Sequence, residues 1–143
     1  MKYHPISAEL FAFNRRRYVQ LLKADSLAIF YANDLLPRTG DTFFPFRQNS
    51  ELFYLTGIEQ PETVLVLFPS CVKDGFEEVV FVRRNEERLS RYEGDQLSKA
   101  DVRRISGVAR VHWLDEMTTI LYELMLLAKR VYVNLDEHDR FQS

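Results

Sequence analysis

The side chains from which this chain would have to build a reactive centre are few and badly spaced for it. Its three histidines, His4, His112 and His138, are far apart. None has a second histidine three or four residues away, so the sequence lacks the helical His pair of a zinc site. The run Asp136, Glu137, His138 and Asp139 has the donor types for a cation, but it is expected to be a solvated tail. Cys71 and His112 are a nucleophile and a base by type, yet nothing in the sequence joins them. A cysteine just after a strand is expected to be structural. No Gly-rich phosphate loop is present, and no serine stands in a nucleophile elbow. The densest polar pattern is Phe44-Pro-Phe-Arg-Gln-Asn-Ser-Glu-Leu-Phe-Tyr-Leu-Thr-Gly57. Pro45 biases Phe44 toward an extended backbone. Arg47 offers a planar fork of donors that suits loop carbonyls or a carboxylate such as Asp41. Asn49 or Ser50 can cap a short helix, and Gly57 can make a left-handed turn into the next strand. The run is expected to be a polar-latched loop, with Arg47 and Asp41 as the structural latch.

The rest of the chain has to position that segment. The 143 residues are 46% hydrophobic and contain one cysteine. That length fits one domain, able to bury roughly 70% of its unfolded surface. A net charge of −2 gives no electrostatic footprint for nucleic acid. One cysteine precludes an internal disulfide and a cysteine-based zinc site. Glu9 and Arg15-Arg16-Arg17 break the early apolar runs, so no signal peptide is expected, and no stretch has the length of a membrane span. A cytoplasmic, soluble protein is the expectation, with no nucleic-acid or membrane partner.

Along the chain, Ser7 to Lys23 is expected to be a helix with Ser7 as N-cap. Leu10, Phe11, Asn14, Tyr18, Leu21 and Leu22 share one face. Arg15 and Arg17 flank it and Arg16 lies opposite, so the triplet is expected to be a solvated surface with its stems packed along the edges. Ser26–Ala32 is a buried strand, and 33–40 is a loop punctuated by Pro37 and Gly40. Asn49–Leu55 is a short helix or a strand, since periodicity does not separate the two. Thr63–Phe68 and Glu78–Arg83 are strands joined through Lys73-Asp74-Gly75, in the manner of a hairpin. Ser98–Ile105 is a helix with a capping-box start at Ser98 and Asp101 and a stop at Gly107. Val108–Trp113 is a strand. Asp115 is expected to cap the next helix, whose Met117, Ile120, Leu121, Leu124, Met125 and Ala128 form a core stripe. Val131–Asn134 is the last strand. The expected fold is α/β, a mixed sheet of about five or six strands with helices on both faces. Residues 1–134 form the domain, and 135–143 begin a linker.

The Phe44–Gly57 run resembles the hallmark segment of the N-terminal domain of Xaa-Pro aminopeptidases, the aminopeptidase P family, with a creatinase- and prolidase-like fold. The likeness is collinear over nearly the whole chain. Arg15-Arg16-Arg17, Ser26-Leu-Ala-Ile, Arg38-Thr-Gly-Asp41, Thr56-Gly57, Pro61, Val64-Leu-Val-Leu67 and Asn134-Leu-Asp-Glu-His138 are all similar to family elements in order. Where the family commonly has W-x-G, this chain has Tyr92-Glu-Gly94. The resemblance implies that Tyr92 lines the substrate channel of an adjacent subunit. It implies a parent enzyme that removes the N-terminal residue preceding proline. A C-terminal catalytic domain of that enzyme holds two divalent ions, usually manganese, on two Asp, one His and two Glu. No residue of this chain matches those ligands, so the chain alone is expected to have no cofactor, no catalytic residue and no activity. Its implied partners are its own catalytic domain, further copies in a homo-oligomer, and a peptide with proline second. The equivalent domain of a prolidase or creatinase-like enzyme, or a stand-alone oligomerisation or binding module, are the alternatives.

Overall fold

The computed structural model describes residues 6–31, 50–84 and 97–134. Five strands form one sheet: β1 (Ser26–Tyr31), β2 (Val64–Leu67), β3 (Glu78–Val82), β4 (Arg110–Trp113) and β5 (Arg130–Asn134). Their order across the sheet is β4-β3-β2-β1-β5. β2 runs antiparallel to both β1 and β3, while β3–β4 and β1–β5 are parallel pairs. Four strands therefore point one way and the central β2 points the other. β2 and β3 are the expected hairpin.

Both faces of the sheet are covered, which is why its strands have unbroken apolar runs instead of alternation. β2 is buried at all four positions. On one face lie α1 (Ala8–Val19), α2 (Ser50–Thr56) and α3 (Lys99–Ser106). Their Tyr18, Leu52, Leu55 and Val102 pack on Ala28, Phe30, Leu65, Leu67, Val80 and Val82. On the other face α4 (Met117–Leu127) lays Leu121 and Leu124 on Leu27, Ile29, Val64, Val66, Val79 and Phe81. The ambiguous segment after Asn49 is the helix α2, because Leu52 and Leu55, three residues apart, both reach the core.

Several local expectations shift. The inward face of α1 is centred on Phe11, Asn14 and Arg15, all buried, whereas Leu10 and Leu21 are exposed. A polar side chain wins the inward position because it has carbonyl partners there. Asp115 does not cap α4. A 3-10 turn, Leu114–Glu116, comes first, and the Asp115 carboxylate turns outward to Arg84 at 2.8 Å. β4 starts at Arg110, not Val108, whose N–H is taken by the Ser106 hydroxyl at 3.0 Å. The capping box at Ser98 and Asp101 and the left-handed stop at Gly107 are as expected.

Candidate functional site

Strand direction gathers the interesting segments at one end. β1, β3, β4 and β5 all finish there, at Tyr31, Val82, Trp113 and Asn134, and β2 begins there opposite Tyr31 and Phe81. The segment with Asp41 and Arg47 follows β1, the segment with Tyr92 follows β3, and the expected linker follows β5. All three leave the sheet at the carboxyl ends of co-directional strands, the edge where open α/β sheets commonly place their sites. Asp41, Arg47, Tyr92 and 135–143 themselves lie outside the described residues.

The described rim at that end is a shelf of cations and aromatics. The Trp113 ring has the Arg84 guanidinium 5.2 Å and the Lys99 ammonium 4.7 Å from its centroid. These are distances at which the ring quadrupole attracts a cation. Arg84 also donates two hydrogen bonds to Asp115, at 2.8 and 3.0 Å, and these hold the Asp115 carboxyl below its usual range. Leu97 N–H donates to Gln60 Oε1 at 2.8 Å, and Arg83 lies 3.8 Å from Glu62. Both anchors of the Tyr92 segment, Arg84 before it and Leu97 after it, are thus tied to the framework. The shelf can hold a surface or a flexible segment in place. It has no nucleophile paired with a base.

The described part of the hallmark run, Ser50 to Gly57, is fastened at the opposite end of the sheet. Arg15, 1% exposed, donates through Nη1 to Leu55 O and to Ser106 O, both at 2.8 Å. Those carbonyls sit at the C-termini of α2 and α3, where the helix dipole favours a cation. Arg15 Nε lies 3.1 Å from Glu78 Oε2 but is not aligned for a hydrogen bond, so this contact is electrostatic only. Asn14 Nδ2 donates to Tyr54 O at 2.8 Å. Gly57 turns with φ +74°, and a Cβ there would strike the Phe11 ring, whose Cζ would be 2.6 Å away. The Thr56 hydroxyl donates to Leu52 O at 2.8 Å and accepts from Ile58 N–H at 3.1 Å. Arg15, a buried arginine and not the solvated surface group expected from the sequence, therefore fastens the described part of this run. The signal available in the sequence was Arg15 four residues after Phe11, one helical turn along the buried side.

The remaining candidates are used internally. His112 Nδ1 is 2.9 Å from Glu116 Oε1, and that bond is the main cause of the lowered Glu116 carboxyl pKa. His112 Nε2 is 3.4 Å from Arg110 Nη1, and its ring stacks on Phe76. Cys71 is buried in the apolar cluster under α4. Among the described residues no three of His, Cys, Asp or Glu converge as a metal site. The described donor set therefore does not fit a two-metal centre. Among the same residues no helix is long and apolar enough to cross a membrane.

Residues 11–132 match the family model described as Aminopeptidase P, N-terminal domain. The chain is 31% identical over 120 residues to the Xaa-Pro aminopeptidase of Escherichia coli, covering 84% of this chain and 27% of that protein. It is 37% identical over 62 residues to Intermediate cleaving peptidase 55 of Saccharomyces cerevisiae, covering 43% of this chain and 12% of that protein. Among solved structures, Escherichia coli aminopeptidase P with the inhibitor Pro-Leu superposes with a TM-score of 0.76 at 30% identity. That match covers 91% of this chain and 29% of the other. The chain thus spans about a quarter of the length of the Escherichia coli relative.

Proposed function

The chain belongs to the aminopeptidase P N-terminal domain family, and on that premise we propose that it is the non-catalytic N-terminal domain of an Xaa-Pro aminopeptidase. The parent enzyme removes the N-terminal residue that precedes proline. The observation that carries this reading is the collinear family match over residues 11–132. In this reading the end of the sheet from which the Asp41, Tyr92 and 135–143 segments depart faces the peptidase active site. The domain caps the mouth of that site and contributes subunit contacts in a homo-oligomer, with Tyr92 lining a neighbouring subunit's substrate channel. Two divalent ions, manganese by family likeness, belong to a further domain of the parent. A cytoplasmic location goes with this reading.

The role of this chain is then mechanical. Its framework carries the three segments on ordered strand ends, and the Trp113 shelf fixes both anchors of the Tyr92 segment. Fixing the strand ends from which such segments depart lowers the entropy lost when substrate or a neighbouring subunit meets them. The test has two parts. The purified chain is expected to release no residue from an Xaa-Pro peptide with Mn²⁺ added. The longer open reading frame, expressed whole, is expected to do so. Metal-dependent turnover by the chain alone, or a parent frame that has no metallopeptidase ligands, would overturn the assignment.

A further inference from the structure

The two faces of the sheet are covered unequally. Three described helices lie on one face and only α4 on the other. α4 is centred over β1, β2 and β3, where Leu121 and Leu124 are buried. One of its flanks is fixed toward the β2–β3 hairpin by the Lys73–Glu123 ion pair at 2.8 Å. Tyr122 and Met125 lie on the side of the helix turned away from that ion pair, and both are exposed. Pairing β5 with β1 sets Val131 beside Leu27 and Val133 beside Ile29, so both valines stand on the α4 side. They are 38% and 46% exposed, Tyr122 is 66% and Met125 is 41%. Tyr132, beside Ala28, is 41% exposed on the other face. Among the described residues β5 is also the last strand of the sheet, with one hydrogen-bonding edge unpaired. Arg-Val-Tyr-Val-Asn has no proline or bulge and no charge at its centre, the devices that normally protect such an edge.

We propose that this edge is an interface between two copies of the chain, formed by antiparallel pairing of β5 with β5 about a two-fold axis at Tyr132. The sequence of β5 is self-complementary in that register. Val131 of each copy meets Val133 of the other on the α4 face, and the two Tyr132 meet on the opposite face. Such apolar cross-strand pairs are the unit of sheet stabilisation. The two α4 helices come side by side through Tyr122 and Met125, and two five-stranded sheets become one. A closed two-fold contact of this kind consumes the β5 edge of each copy and does not propagate through it. The five side chains expose roughly 400 Å² per copy, and with the strand edge this approaches the ~600 Å² per partner at the small end of specific interfaces. The association is therefore expected in the micromolar range. It gives the self-association proposed above a surface, and the peptidase assignment stands or falls separately.

The experiment is sedimentation velocity of the 143-residue chain from low micromolar to about 200 µM, a range that brackets a weak specific interface. Dimer mass is expected to grow with concentration and then saturate. Val133→Lys is expected to weaken dimerisation ~100-fold, as an edge charge does, with an unchanged circular dichroism spectrum. Tyr122→Lys, on the helix flank, is expected to weaken it too and serves if Val133→Lys fails to fold. Phe13→Lys, on the exposed side of α1, is expected to leave it intact. A wild-type chain that stays monomeric at the highest concentration overturns the proposal and assigns the face to another occupant. So does a dimer that Phe13→Lys breaks and the β5 and α4 variants do not.

Discussion

Replacing Arg15 by methionine should be the most damaging single change on the surface of α1 as the sequence displays it. The stem of methionine fills much of the same space, so the loss is chiefly of charge and donors. Two hydrogen bonds at 2.8 Å disappear, to Leu55 O and Ser106 O, and both carbonyls are left in a site whose arginine was 1% exposed. A hydrogen bond from a charged donor contributes about 1.5–3 kcal/mol. Glu78 is 35% exposed, so its attraction is screened by water and adds little. Removing the arginine also relieves the cost of burying a cation, which offsets part of the loss. The balance is a destabilisation of about 3 kcal/mol. For 143 residues the unfolding entropy is about 0.3 kcal/mol per degree, so the midpoint should fall by roughly 10 °C. Differential scanning calorimetry of the chain reads this directly. Arg16→Met, one residue on and exposed, is the control and should change stability by less than about 0.5 kcal/mol. If the two variants melt within ~2 °C of each other, the buried clamp is not what holds α2 and α3 to α1, and the reasoning fails.

Other expectations concern backbone, pH and the parent enzyme. Gly57→Ala should cost more than about 1 kcal/mol by chemical denaturation, because the left-handed turn and the Phe11 ring both oppose a Cβ; an unchanged midpoint would mean that the turn relaxes freely. Ser98→Ala should cost about 1 kcal/mol through the lost N-cap, and hydrogen exchange should show the first turn of α3 opening first. The Asp101 carboxyl is held below its usual range, first by the Ser98 backbone N–H and then by Arg104. A lowered carboxylate stabilises the fold above its unfolded pKa of about 3.9, and that stability fades as pH falls through the folded value. Asp101→Asn should therefore flatten the acid limb of a stability–pH curve, by tenths of a kcal/mol only, since the side chain is 39% exposed. In the full-length parent, Tyr92→Ala should lower kcat/KM for longer peptides by ~1–2 kcal/mol with little change in melting; a large stability loss with unchanged kinetics would make Tyr92 a core residue.

Much of the architecture was legible before any coordinates, because it rests on local chemistry. The runs Val64–Leu67 and Glu78–Val82 are apolar enough to require cover on both faces, and they became the buried hairpin at the centre of the sheet. Ser98 with Asp101, Gly57 and Gly107 encode a cap, a turn and a stop within a few residues, and each does that work in the fold. The hallmark run carried the family by its order of residue types alone. What depended on distant pairing was not legible. A guanidinium looks like a solvated group until the carbonyl ends of two helices, 40 and 91 residues away, close around it. Asp115 looks like a cap until Arg84, 31 residues earlier, takes its carboxylate. Leu10 looks like core until the helix turns its buried side toward Arg15, and Leu21 looks like core until α1 ends at Val19. The common departure point of the Asp41, Tyr92 and 135–143 segments is a property of strand direction. Direction is set by which edges pair across the sheet, and no local propensity records that choice.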